Sequence, residues 1–498
     1  MNLALKLAKN YMEKEEDICL IQGKKHVTYK ELYENVARFA NYLKTTGVKK
    51  GDKILVLVPM SIELYVTLIA SWSIGAIPVF MDAGFIRSHV KNNDFEDIKC
   101  VVGITKYILY SNINKNLKKL KNKVNVSVID KLEGDYGVEI PDLDDDYPAI
   151  ITYTSGSTGR PKIAARSHEF LNCQGEILEK CLNYEQSDIE LSSVPIFTLS
   201  NLSVGITTVI SNGNYENLGN SNASKLIEQI KKENVNRLMA SPGLLNIITK
   251  YCLQKKIVLD WVTKVFTGGG AVFLDFVDEL RMVFPKAKIV TLYGSTEAEP
   301  IAELNVLEMS PEEIDRTKNG YGILAGKIVG VKECKIIKTG QEAIGNIFES
   351  QFRKLETESV GEIVVAGDNV LGGYVGGYGD KENKFSVDGV KYHRTGDLGF
   401  IDGSGKLWLR GREKAPYFNI EASLHANFKG IGKTAVLNDV ERIILVLEKS
   451  CKIPQKQIID SITFETISEI RYVNKIPVDK RHSTKVDYKT LKKMLKIK

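Results

Sequence analysis

A chain of 498 residues is too long for one ordinary hydrophobic core, so two or more domains are expected. Its hydrophobic share of 43% and charged share of 26% are those of a soluble globular protein. Basic and acidic side chains, 68 against 62, leave a formal charge of +6, spread so that nucleic acid is not suggested as a partner. Seven cysteines, an odd number without CxxC spacing, imply neither a disulfide framework nor a metal site and suit a reducing cytoplasm. The N-terminal stretch MNLALKLAKNYMEKEED turns acidic too soon for a signal peptide. Thr28-Tyr29-Lys30-Glu31 reads as a capping box, and Leu32, Val36, Phe39, Ala40 and Leu43 recur at helical spacing until Gly47. The strand KILVLVP, a helix ahead of Gly75 and the strand AIPVFMD follow. Leu64 to Phe80 is apolar enough to raise the question of a membrane span, yet Ser71, Ser73, Gly75 and Pro78 interrupt it within the ~20 residues a span requires. It reads instead as a buried helix running into a buried strand, with no integral membrane segment.

This alternation predicts a largely parallel sheet covered by helices. It continues through CVVGI near Cys100, the lysine-rich KNLKKLKNK, expected on a surface helix, and VSVID. Further on come a helix from Ser167 to Leu182, an apolar run from Val194 to Ile210, an amphipathic helix from Lys225 to Asn234 and a strand at Arg237. From about Gly361 the pattern shortens into strands with glycine turns: GEIVVAG, LGGYVGGYGD, GVKYHRTGDLGFID and KLWLRGR. The basic end KTLKKMLKIK reads as a solvated helix terminus, with an anionic membrane surface as the lesser alternative.

One stretch carries chemistry more densely than any other. Ile150, Ile151 and Tyr153 end a strand, and a polar turn follows from Thr154 to Gly159, ahead of a helix-like run. Gly156 and Gly159 allow successive N–H groups to face one anion; Thr154, Ser155, Ser157 and Thr158 add hydroxyls, and Lys162 adds a charge. Gly/Ser turns in general are plain surface turns. A Walker loop needs Gly-Lys-Ser/Thr at its end, where this chain has Arg160-Pro161-Lys162. TSGSTGRPK resembles the phosphate loop of the adenylate-forming superfamily, which includes acyl-CoA synthetases, luciferases and peptide-synthetase adenylation domains.

The resemblance extends over nearly the whole chain. In KVFTGGGAV, Gly268, Gly269 and Gly270 would admit adenine against the backbone, although three glycines are more often a simple turn. YGSTE is similar to the family's second signature, in which Tyr293 stacks on the base beside Gly294, Thr296 donates to a phosphate and Glu297 holds magnesium; an isolated Ser-Thr-Glu would ordinarily be a helix cap. HRTGDLG is similar to the third signature, with Asp397 accepting from the ribose hydroxyls and Arg412 meeting ribose and phosphate. Lys414 occupies the family's hinge position and Lys485, within RHSTK, the place of its catalytic lysine.

What the resemblance implies for the fold is an α/β protein, a large N-terminal domain of helix-covered sheets plus a β-rich subdomain (residues 1–411), with a small mobile α+β C-terminal domain (412–498). Its implied activity is attack of a carboxylate on the α-phosphorus of ATP, assisted by Mg2+, giving an acyl-adenylate and pyrophosphate. A carboxylate needs no general base at neutral pH, and fixed cations and donors must compensate the anionic centre. Coenzyme A or an acyl carrier protein thiol would then take the acyl group. RHSTK, YGSTEAEPI, PIFTLSNL and IEASLHANFKGIGKTAVL look most like the branch containing the olefin β-lactone synthetases, in which a substrate 3-hydroxyl closes on the activated carbonyl and expels AMP. The C-terminal part is shorter than usual and lacks the common glycine and proline spacing, which weakens the case for coenzyme A. Phe197, Leu199, Leu202 and Val204 are candidate walls for an apolar acyl group, with ordinary core packing an equal alternative; no aspartate near Phe197 would meet an amino acid's ammonium group. A nucleotide-binding protein without chemistry is the reading of another class, and Lys485 counts against it.

Overall fold

The computed structural model describes residues 1–81, 97–114, 116–134, 137–154, 162–214, 218–340, 345–347, 355–412, 415–439, 442–479 and 485–497. The chain divides into two compact units, one of residues 1–211 with 371–380, the other of 212–370 with 381–498.

In the first unit, α1 (Leu3–Glu13) precedes the hairpin β1 (Ile18–Gln22) and β2 (Lys25–Thr28). Helix α2 (Tyr29–Thr45) opens with the expected capping box: Thr28 Oγ1 accepts from the Glu31 N–H and Glu31 Oε2 from the Thr28 N–H. Its apolar stripe is buried at Leu32, Val36, Phe39, Ala40 and Leu43. Next come β3 (Lys53–Leu57), α3 (Ile62–Ser73) and β4 (Ile77–Phe80). Helix α3 is buried from end to end, and it does run straight into a strand. Trp72 is fully buried on it, and its Nε1–H reaches the Ala149 carbonyl at 2.7 Å. After β5 (Ile98–Gly103) and α4 (Thr105–Ile113), the lysine-rich segment departs from expectation: Leu117–Lys119 forms a single 3-10 turn and Lys123–Asn125 a strand, β6. Val126–Lys131, read as part of the alternation, is likewise a 3-10 helix. Alternating lysine and asparagine supplies too few apolar residues to seat a helix, so only Leu117 is buried in that first turn.

Strands β7 (Pro148–Thr154) and β8 (Lys162–Ser167) complete a six-stranded sheet in the order β6-β5-β3-β4-β7-β8. Every pair in it is parallel except β7 with β8, which are antiparallel. The helix expected from Ser167 to Leu182 is α5 (His168–Leu182), with Ser167 as its cap, and β8, which was not expected, stands between it and the polar turn. The alternation Ile163-Ala164-Ala165-Arg166 is that of a strand, and only Ala164 among these is fully buried. His168 packs at the Trp72 ring edge, and burial lowers its imidazole to about 4. The apolar run from Val194 resolves into α6 (Pro195–Val204) and β10 (Thr207–Ile210); with β9 (Ile189–Ser192), β10 continues in parallel to β1, and β2 closes that edge antiparallel.

The second unit opens with α7 (Ala223–Lys232), β11 (Arg237–Met239), α8 (Pro242–Lys255), β12 (Lys264–Gly268), α9 (Leu274–Val283) and β13 (Lys288–Ser295), whose strands are parallel. Beyond β13 the pairing turns antiparallel through β14 (Ala298–Asn305), which α10 (Pro311–Lys318) separates in sequence from β15 (Ile323–Ile328). Strands β16 (Glu333–Ile337) and β17 (Gly345–Ile347) follow, and then the short strands foreseen from about Gly361: β18 (Gly361–Ala366), β19 (Lys384–Val387), β20 (Val390–Ile401) and β21 (Lys406–Arg412). The order runs β14-β15-β21-β20-β18-β16, with β19 also beside β20 and β17 beside β19. LGGYVGGYGD is the exception, forming a loop with a single 3-10 turn.

Past Arg412 the chain builds α11 (Phe418–Asn427), β22 (Thr434–Asp439), β23 (Arg442–Glu448), α12 (Gln455–Ser461), β24 (Glu469–Val473) and α13 (Tyr488–Leu495). Its three-stranded sheet, β22-β23-β24, is packed on one face by Ile420, Leu424, Ile458 and Ile462 and on the other by Ile476 and Leu491. A large helix-covered α/β part with a β-rich portion and a smaller α+β part is thus the architecture. Among the described residues, no helix is long and apolar enough to cross a membrane.

Candidate active site

Strands β7 and β8 pair antiparallel on either side of the polar segment. Thr154 and Lys162 face each other across the last register position of β7 and β8, so Lys162 stands at the base of the intervening turn. Ser155, Gly156, Ser157, Thr158 and Gly159 lie outside the described residues, as does Lys414. The Lys162 ammonium sits 5.2 Å from the centroid of the Tyr374 ring, over its face.

In the second unit, three of the anticipated residues converge. Asp397 on β20 pairs in register with Arg412 on β21. One carboxylate oxygen accepts from Arg412 Nε at 2.8 Å, the other from the Tyr293 hydroxyl at 2.8 Å, and the Asp397 N–H donates to Thr395 Oγ1. Asp397 is mostly covered, whereas Arg412 keeps 70% of its side-chain surface exposed. Burial first, then the neighbouring Asp397 charge, raises the Tyr293 phenol well above its usual range, so it remains a donor. A carboxylate aligned between a phenol and a guanidinium presents acceptors to paired hydroxyls, with an open cation beside it.

Glycine is required here by close backbone approach. A Cβ at Gly268, the last residue of β12, would lie 2.7 Å from the Leu292 carbonyl, and one at Gly294 would lie 2.8 Å from that of Ala298. Gly269 adopts φ of +77°, the left-handed region, and Gly270 follows it in the bend that ends β12. Thr296 and Glu297 are the two turn residues of the β13–β14 hairpin, closed by Ser295 opposite Ala298. A hairpin, not a helix cap, is the setting of Ser-Thr-Glu. Thr296 is exposed, and the half-buried Glu297 donates its N–H to Ser295 Oγ.

Lys485 is exposed three residues before α13, and its carbonyl accepts from the Asp479 N–H at 2.9 Å. The Tyr488 hydroxyl donates to Glu421, and the Arg412 charge acts on that phenol too. Phe197 and Leu202 on α6 are buried, Leu199 and Val204 half-buried. Leu199 lines a cleft with Leu3, Leu7 and Trp72, and Leu202 a second one with Ala4 and Tyr29, so both face α1.

Several groups escaped the reading of the sequence. Glu421 is buried on α11, within 3.4 Å of the Tyr488 hydroxyl and 3.5 Å of Thr434 Oγ1. His425, one turn on, reaches Asp275 at 2.7 Å through Nδ1 and stacks on Phe273 at 4.2 Å, tying α11 to the start of α9. Glu421 and His425 lie at i and i+4, a spacing that was visible in IEASLHAN. Tyr374 and Asp380 had only the glycine density of their segment to mark them.

A mixed α/β scaffold with a small α+β part beyond Arg412, and a carboxylate held between a tyrosine and an arginine, define an adenylate-forming enzyme. The chain belongs to the AMP-binding enzyme family, whose profile matches residues 7–375. It is 27% identical over 404 residues to the olefin β-lactone synthetase of Stenotrophomonas maltophilia (strain K279a), covering 77% of this chain and 72% of that protein. It is 28% identical over 404 residues to the 2-succinylbenzoate–CoA ligase of Geobacillus sp. (strain WCH70), covering 80% and 74%. Among solved structures, ATP-bound MatB from Rhodopseudomonas palustris shares the fold with a TM-score of 0.79 at 18% identity, over 100% of this chain and 99% of that one.

Proposed function

We propose that the protein is an ATP- and Mg2+-dependent acid ligase that activates a fatty or otherwise apolar carboxylic acid as its acyl-adenylate and passes the acyl group to a thiol, that of coenzyme A or an acyl carrier protein. The observation that carries the nucleotide half is the Tyr293–Asp397–Arg412 cluster, whose acceptors suit two ribose hydroxyls and whose exposed guanidinium suits a phosphate. The glycine approach at Gly268 and the left-handed Gly269 suit a flat base lying on the backbone, with Gly270 and Gly294 beside it.

In this reading the Thr154–Gly159 turn and Lys162 hold the leaving pyrophosphate, Thr296 donates to the α-phosphate and Glu297 holds the metal. The metal ion would supply charge neutralisation for the crowded phosphoryl centre. A carboxylate oxygen of the acid bonds to the α-phosphorus as the bond to pyrophosphate breaks, and no proton changes hands. Lys485 meets the charge on the α-phosphoryl and ester oxygens. Lys414 is the hinge about which residues 412–498 turn, and Phe197, Leu199, Leu202 and Val204 wall the acyl group. A second reading of the last step is favoured by the olefin β-lactone synthetases among the relatives: the substrate's own 3-hydroxyl attacks the acyl carbonyl and AMP leaves.

The test is acid-dependent exchange of pyrophosphate into ATP across a panel of acids, followed by incubation with a 3-hydroxy fatty acid with and without coenzyme A. Exchange with apolar acids and a thioester product support the ligase. Lactone and AMP formed without any thiol replace it by the second reading, and absence of exchange across the panel replaces both by a non-catalytic nucleotide binder.

A further inference from the structure

Ten residues, Leu371–Asp380, belong to the first unit although the chain on either side of them belongs to the second. The segment is LGGYVGGYGD, which the adenylation reading leaves without a task. Tyr374 within it is buried, and its ring face receives the Lys162 ammonium at 5.2 Å. On the same side chain, a Cβ placed on Gly379 would meet Lys162 Cδ, Cε and Cγ at 3.0, 3.1 and 3.2 Å, and Gly379 has φ of +97°. The methylene stem of Lys162 therefore runs along a surface that only glycine leaves open, with its charge over an aromatic face. The loop is fastened on itself: Asp380 Oδ1 accepts from the Tyr374 N–H at 2.8 Å, and the Gly377 N–H donates to the Tyr374 carbonyl.

The geometry points to Tyr374 as a positioning residue for the phosphate-binding ammonium of Lys162, with Gly379 as the other jaw of a clamp. The inference rests on the role proposed above for Lys162. A flexible lysine at the base of a hairpin spends most of its time in rotamers unsuited to a given phosphate. A ring face within about 6 Å of the charge holds the side chain in one of them by attraction. Discrimination follows: the clamp supports ligands bearing β- and γ-phosphates and is indifferent to AMP.

Calorimetric titration with Mg2+–ATP and with AMP tests this on the full chain. Tyr374→Leu is expected to weaken ATP about tenfold and leave AMP within about twofold. Tyr374→Phe, which keeps the ring, should restore ATP binding, and Gly379→Ala, which displaces the lysine stem, should repeat the ATP-selective loss. In a Lys162→Ala background, Tyr374→Leu should add nothing. Equal losses for ATP and AMP, an unaffected Tyr374→Leu, or an undiminished effect without Lys162 each overturn the inference. A wild-type chain that binds neither nucleotide removes the adenylation reading and this inference with it. One that binds both, with Tyr374→Leu indifferent, removes the inference alone.

Discussion

Replacing Glu421 by glutamine should make the protein more stable as the pH rises. Glu421 is 4% exposed, its oxygens meet the Tyr488 and Thr434 hydroxyls at 3.4 and 3.5 Å and the Val436 N–H, and no arginine or lysine among the described residues is bonded to it. Burial is the dominant cause that lifts its carboxyl from 4.5 to about 8, with the Val436 N–H and the two hydroxyls opposing. A carboxyl whose folded pKa lies above its unfolded one binds more protons when native. Its contribution is therefore complete below 4.5 and is lost between 4.5 and about 8. At 1.36 kcal/mol per pH unit, the loss between pH 5.5 and 7.5 has an upper limit of about 3 kcal/mol. Glutamine keeps the shape and an acceptor for Tyr488 but cannot ionise. Urea unfolding of both forms at half-unit pH steps isolates the effect, because other titrations cancel in the difference. The Gln variant should gain on the wild type steadily from pH 5 to 8 and no further above it. Parallel stability curves, or a gain that grows as pH falls, would refute the reasoning.

Asp397→Asn leaves either the phenol or the guanidinium without its acceptor and should weaken AMP binding at least tenfold by calorimetry, since a hydrogen bond to a charged group is worth about 1.5–3 kcal/mol. Gly268→Ala must push β12 from the Leu292 carbonyl; reduced nucleotide affinity with a lowered melting temperature is expected by scanning fluorimetry. Thr28→Ala removes one half of the α2 capping box and should cost about 1 kcal/mol in urea unfolding. Lys485→Ala should nearly abolish acid-dependent pyrophosphate exchange while ATP still binds; undiminished exchange removes Lys485 from its proposed role.

The elements most readily read from the sequence were those in which local chemistry and burial agree. Thr28 and Glu31 announce a helix start independently of anything distant, and the largely apolar run of α3 announces burial. KNLKKLKNK reads as a surface helix, but with Leu117 the one buried residue of its 3-10 turn it offers too little apolar surface to seat one. The strand β8 was missed because Lys162–Ser167 is short and only partly buried, leaving its period-two pattern weak. Asp397, Arg412 and Tyr293 were legible as separate motifs, but their meeting depends on the β20–β21 register and the line of β13, which no local pattern encodes. Glu421 and the Tyr374 loop were harder still: one is a carboxylate where composition expects solvent, the other a glycine-rich segment whose partner lies some two hundred residues earlier.

The excursion of Leu371–Asp380 also sets a timetable for synthesis. The first unit begins at Met1, yet its last piece follows residues 212–370, which belong elsewhere. At a ribosomal rate of about 5–20 residues per second, that intervening stretch holds back completion by roughly 10–30 s. During this interval residues 148–167 have been made but the loop that meets Lys162 has not. On the role proposed for Lys162, its seat is complete only once Asp380 has been made, and a nascent chain arrested before that residue would carry Lys162 without the proposed clamp.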